Sequence, residues 1–132
     1  MTVQHSDSIR NGKLDIITTV LGAGWKLKIR TVAQPATVAT ASSGTVLVTY
    51  TPTPAVASAG AKAMVTATPL AGTATAGGTA GHYELTTSAD VVHERGSLTA
   101  TGGGGDMTID NVNIANAQTV NITQFTKTAA GA

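Results

Sequence analysis

The chain contains no cysteine, which excludes disulfide staples and thiolate metal sites and leaves the compartment open. Aromatics are almost as scarce: one Trp, one Phe and two Tyr make up 3% of 132 residues. The 42% hydrophobic content leans on alanine, which buries little area. At roughly 25 cal/mol per Å² of apolar surface, an interior of Ala and Thr stabilises far less than one of Leu and Phe. Marginal stability as a lone molecule is therefore expected, and burial against further copies or a larger surface would add to it by mass action. Charge is sparse too. Only 11% of residues are charged and the net charge is +1, so no strong field steers the chain onto nucleic acid or an anionic membrane, and protein partners are expected instead. Long apolar runs are missing: the N-terminal one is broken by charge and threonine and adjoins no cleavage pattern. Neither a signal peptide nor a membrane span is predicted, and the chain reads as made in the cytoplasm.

What is present reads as β-structure behind one N-terminal element, with residues 1–24 as a helix or arm and residues 25–132 as a single all-β domain. Ser6 or Asp7 would cap a helix carrying Ile9, Ile16, Ile17, Val20 and Leu21, and Gly22 or Gly24 would end it. The β-branched pairs Ile16-Ile17 and Thr18-Thr19 weaken it and leave a partly extended arm as the alternative. From Trp25 to Thr31 apolar and basic residues alternate at period two. This predicts a strand with Trp25, Leu27 and Ile29 on the core side and a basic ladder of Lys26, Lys28 and Arg30 on the other. Residues 34–43, with Pro35, read as a loop, and residues 51–60, with Pro52 and Pro54, as an extended surface loop, since proline cannot donate to a ladder. Further strands are predicted at 45–50, 61–68, 71–76, 80–87, 91–98, 107–110 and 119–126, with a Ser88-Ala89-Asp90 turn making a hairpin. The four glycines Gly102 to Gly105 read as a flexible hinge into the closing strands. About eight strands divided by turn signals predict a β-sandwich or jelly roll.

Chemistry is thin. His82, Glu84 and His93 could bring two imidazoles and a carboxylate across the hairpin, but metal needs three or four convergent ligands. Asp106, Asp110, Asn111 and Asn113 form an oxygen-rich set after the glycines, at a spacing unlike a calcium-binding EF-hand, and Asx turns are the commoner reason for such residues. No metal or other cofactor is expected. No nucleophile elbow, paired carboxylates or phosphate-binding loop appears, so no enzymatic activity is predicted. Lys26, Lys28 and Arg30 lack interleaved aromatics for stacking on single-stranded nucleic acid, which leaves a solvated face or a contact with an acidic protein partner.

Several landmarks are shared with a known family. Gly60-Ala61-Lys62, Thr79-Ala80-Gly81-His82-Tyr83, the stretch from Gly102 to Asn111, and Val120-Asn121-Ile122-Thr123-Gln124-Phe125 resemble those of small structural proteins of tailed-bacteriophage virions. The resemblance covers the second half of the chain; before Trp25 it is loose. It implies a β-sandwich capsid decoration, or cement, protein on the outer surface of the head, partnered by the major capsid protein and by itself as a homo-oligomer, expected to be a trimer. A tail- or fibre-associated module that binds the host surface is the alternative. Contacts with partners would then come from the N-terminal segment and from the loops carrying Pro35, Pro52 and Pro54, with Lys26, Lys28 and Arg30 beside them. No catalytic residue follows from it.

Overall fold

A computed structural model describes residues 3–52, 63–65, 70–122 and 126–128 of the chain. Pro54, most of the 51–60 loop and the Ala61–Thr68 strand apart from residues 63–65 lie outside the described residues.

The N-terminal segment is a helix, α1 (Asp7–Leu21). The Ser6 hydroxyl accepts from the Ile9 amide at 3.3 Å, and Asp7 places negative charge at the positive end of the helix dipole. At the far end Gly22 turns to φ +73° and its amide caps the Thr18 carbonyl, a conformation that favours glycine. These caps outweigh the β-branched pairs and decide between helix and arm. Only part of the apolar set faces the core. Leu14, Leu21 and Arg10 are buried with Ile17 packed beside the core, whereas Ile9, Ile16 and Val20 point outward.

The body is a curled mixed sheet. It runs in the order β2 (Val46–Tyr50), β1 (Lys26–Thr31), β5 (Gly78–Thr86), β6 (Val92–Ala100), β7 (Met107–Ile109), and β8 (Asn113–Ile114) pairs with the start of β5. Two separate two-stranded ladders complete it: β3 (Ala63–Val65) with β10 (Thr126–Thr128), and β4 (Leu70–Thr73) with β9 (Thr119–Ile122). The coarse expectation, β-structure behind one short helix, is what folds.

The alternation in β1 places Trp25, Leu27 and Ile29 at zero exposure. Antiparallel pairing sets Leu27 beside Leu85 and Ile29 beside Tyr83 on β5, and beside Tyr50 and Val48 on β2. Period-two geometry then sends the intervening residues to the opposite face. The β4–β9 ladder covers the apolar face at β2. The Tyr50 hydroxyl donates to the Val120 carbonyl at 2.8 Å, and Gly72 lies under the Tyr50 ring and Val48.

The glycine run is a fixed turn rather than a hinge. It joins β6 to β7, which lie parallel with Leu98 opposite Met107, although parallel neighbours usually need a crossover of a dozen or more residues. Gly102 and Gly104 take φ of +88° and +79°. The Gly103 amide donates to the Ala100 carbonyl at 2.9 Å and the Gly105 amide to the Thr99 hydroxyl at 3.0 Å. Asp106 closes the turn by accepting from both the amide and the hydroxyl of Ser97.

Gly96 has a packing role of its own. It faces Tyr83 across the β5–β6 pair, and a Cβ there would overlap the Tyr83 ring and hydroxyl. Overpacking of this kind costs about 1–3 kcal/mol. Gly96→Ala is therefore expected to lower the unfolding free energy by that amount, read as a lower urea midpoint with an unchanged m-value; an unaltered midpoint would show that the ring can move aside.

Candidate functional site

The polar face of the central sheet carries Lys26, Lys28 and Arg30 from β1, His82, Glu84 and Thr86 from β5, and Arg95 and Ser97 from β6. Cross-strand register makes them neighbours: Lys28 lies opposite Glu84, Arg30 opposite His82, Glu84 opposite Arg95 and His82 opposite Ser97. The segment 33–44 folds back across this face as a strap.

Glu84 is the centre. Its side chain has no solvent exposure and accepts three hydrogen bonds: from Arg30 Nε at 2.9 Å, from Arg95 Nε at 3.0 Å and from the Ser42 hydroxyl at 2.8 Å. Arg95, only 3% exposed along its side chain, uses its remaining donors on the strap. Nη1 reaches the carbonyls of Thr37, Val38 and Thr40, and Nη2 the Ser42 hydroxyl. One guanidinium thus converts a loop without ladder bonds into a clamped element, with every one of its three nitrogens hydrogen-bonded, as buried charge requires.

The strap enters through a strained residue. Val32 has φ +61°, unfavourable for a β-branched side chain by about 1–2 kcal/mol. Its carbonyl faces Nδ1 of the fully buried His82 at 2.9 Å, so Nδ1 carries the ring proton. A Cβ at Gly81 would strike that same carbonyl, which explains why glycine precedes His82.

Each residue of the basic ladder has an acidic partner within the chain, although the two lysines share one carboxylate and Arg30 shares the other with Arg95. Lys26 and Lys28 both bond Asp90 Oδ1, at 3.0 and 2.7 Å, and Arg30 is held by Glu84. Asp90 ends the Ser88-Ala89-Asp90 turn with φ +66°, and its amide donates to the Thr87 carbonyl. The acidic counterparts expected of a partner are residues of the same polypeptide.

Other candidates are dispersed. His93 is exposed, at the slip in register between Leu85–Glu94 and Thr86–Val92, and lines a cleft with Ile16, Ile17, Val20 and Leu85. It does not join His82 and Glu84. Asp106 is engaged with Ser97. Asp110 lies beside Asn111, Gln118 and Asn121 in a small polar cleft. Asn111 accepts from the Asn113 amide at 2.9 Å, an Asx turn. Among the described residues no three His, Asp or Glu side chains are placed to hold a metal ion, and no helix is long and apolar enough to cross a membrane. Pro35 is half-buried in the strap and Pro52 is buried, so Pro52 offers no outward contact.

No protein-family model, curated protein or solved structure matches this chain. The clamp was not foreseen from the sequence, yet a signal for it existed. A hairpin centred on Ser88–Asp90 pairs Glu84 with Arg95, and the alternation in β1 puts Arg30 on the same face.

Burial acts to raise the pKa of Glu84, but the hydrogen bonds from Ser42 and Arg95 and the charge and hydrogen bond of Arg30 outweigh it and hold the carboxyl below its ordinary 4.5. A depressed folded-state value contributes stability that is complete above the unfolded value and is lost as pH falls through the folded one. Hydrogen bonds from Lys28 and Lys26 likewise hold Asp90 at about 2, but Asp90 is exposed and screened by salt. Stability is thus expected to fall below pH 4.5, with a salt-insensitive part that disappears in Glu84→Gln. At neutral pH that variant, which leaves Arg30 and Arg95 without their anion, is expected to lose about 3–5 kcal/mol. Urea titrations at pH 7 and pH 3.5 in low and high salt check both; a loss under 1 kcal/mol at neutral pH would contradict the reading.

Proposed function

We propose that this chain is a structural protein of a tailed-bacteriophage virion, a capsid decoration or cement protein that binds the outer surface of the head across joints between major capsid protein subunits. The observation that carries this reading is the contrast between its two surfaces. The charged sheet face is satisfied internally and closed by the strap. The helix, by contrast, presents Ile9, Ile16 and Val20 at 51%, 65% and 49% exposure, with Val3 at 70% just before it. Apolar surface gathered on one element of a body with closed charges suits adhesion to protein better than small-molecule chemistry.

A protein of this kind carries out no reaction. Its work is to share area with neighbours, and a homo-oligomer, in this reading a trimer, gains effective concentration from each site already engaged. The β4–β9 ladder set against Val48 and Tyr50 is then the second layer of a small sandwich of the jelly-roll type. Lys26, Lys28 and Arg30 belong to the internal scaffold of the body, and the contacts fall to α1 and to the outward side chains of the strap, such as Val38.

Cryo-electron microscopy of the particle encoded with this chain tests the proposal. Hundreds of ordered copies on the head are expected, with α1 at a protein–protein contact. Ile16→Asp combined with Val20→Asp, both at exposed sites, is expected to reduce occupancy at least tenfold while leaving the thermal midpoint within a few degrees. A handful of copies at the tail, or none on the particle, would overturn the assignment.

A further inference from the structure

His82 lies against the start of the strap, at the Val32 carbonyl. The ring is fully buried. Because the Val32 carbonyl can only accept, the contact at 2.9 Å fixes the proton on Nδ1. Nε2 is then a lone pair with no hydrogen-bond partner, and it lies 3.8 Å from Glu84 Oε1. That oxygen already accepts from Ser42 and from Arg95 Nε, the two side chains that hold the strap.

We propose that the 33–44 strap is a proton-operated latch: uptake of a second proton by His82 at Nε2 loosens the Ser42 and Arg95 bonds to Glu84 and frees the strap from the sheet. The charged groups facing the ring are Glu84 on its own strand, Arg30 on β1 and Arg95 on β6, with Asp106 behind Ser97, the residue opposite His82. Neutral His82 leaves two guanidiniums against one carboxylate. An imidazolium adds a third cation in a space where side-chain exposure is 0% for Glu84, 3% for Arg95 and 15% for Arg30, and burial makes that repulsion costly. The new Nε2–H can relieve it only by closing the 3.8 Å gap onto Oε1, where it competes with Ser42 and Arg95. Strain stored at Val32 favours release once the grip weakens. Asp106 keeps its charge while its Oδ2 accepts from Ser97 and offsets part of this repulsion, but it stands behind Ser97 and outside the contact between the ring and Glu84. The device is independent of the virion reading and holds or fails without it.

Nuclear magnetic resonance on the full chain tests it. Backbone order parameters of residues 36–42 are expected to sit near the rigid value of about 0.85 at pH 7.5 and to fall below about 0.6 at pH 5.5, while β1 and β5 stay rigid. His82→Asn, whose amide can still donate to the Val32 carbonyl but cannot gain a charge, is expected to keep the strap rigid at both values. A strap equally rigid at pH 5.5 in the unmodified chain would overturn the proposal, as would loosening that persists in His82→Asn. If that variant does not fold, the unmodified chain decides: strap amide shifts must follow the His82 ring carbon shifts with a common midpoint, and separate midpoints refute the latch.

Discussion

A single buried carboxylate organises this molecule. Glu84 sits in the central strand of the sheet, has no access to water, and draws in one arginine from each flanking strand and a serine from the strap. Taking such a charge out of water costs several kcal/mol unless its lone pairs are matched. Three donors match them, and the geometry that allows this fixes the register of β1, β5 and β6 together. A one-residue slip on either side would send Arg30 or Arg95 to the apolar face and leave Glu84 alone. Specificity of pairing and closure of the polar face therefore have the same origin.

Closure of that face explains how a chain poor in large apolar residues builds two covered sheet surfaces. The apolar side relies on Trp25, Leu27, Ile29, Tyr83 and Leu85, covered by α1 and the β4–β9 ladder. Among the described residues the polar side has no second hydrophobic layer, and Arg95 pins backbone carbonyls of the strap there instead. Backbone acceptors from a loop of small residues take the place of a packed helix. Among the described residues, Ile9, Ile16 and Val20 on the outer face of the helix have no core to enter and stay exposed.

Much of this was legible in the chain itself. The alternation from Trp25 to Thr31, the Ser6 and Gly22 caps and the Ser88–Asp90 hairpin depend on local spacing, and local spacing survives folding. Apolar spacing along α1 marks the helix but not its inward face, for the helix buries Leu14, Leu21 and Arg10 and leaves Ile9, Ile16 and Val20 exposed. Gly102 to Gly105 looked like a hinge because composition cannot reveal that Thr99 and Ser97 tie down the turn. The clamp itself is a tertiary property. Ser42 and Glu84 are 42 residues apart, and no local pattern shows that a loop rich in threonine and alanine returns to an arginine on β6.

The central claim is that Glu84 and Arg95 act as one unit. A double-mutant cycle combining Glu84→Gln with Arg95→Met, followed by urea unfolding at neutral pH, measures their coupling directly. The account predicts a coupling energy above about 1.5 kcal/mol, within the range for contacting residues in a shared network, while independent sites add to within about 0.5 kcal/mol. Additivity within that smaller margin would contradict it.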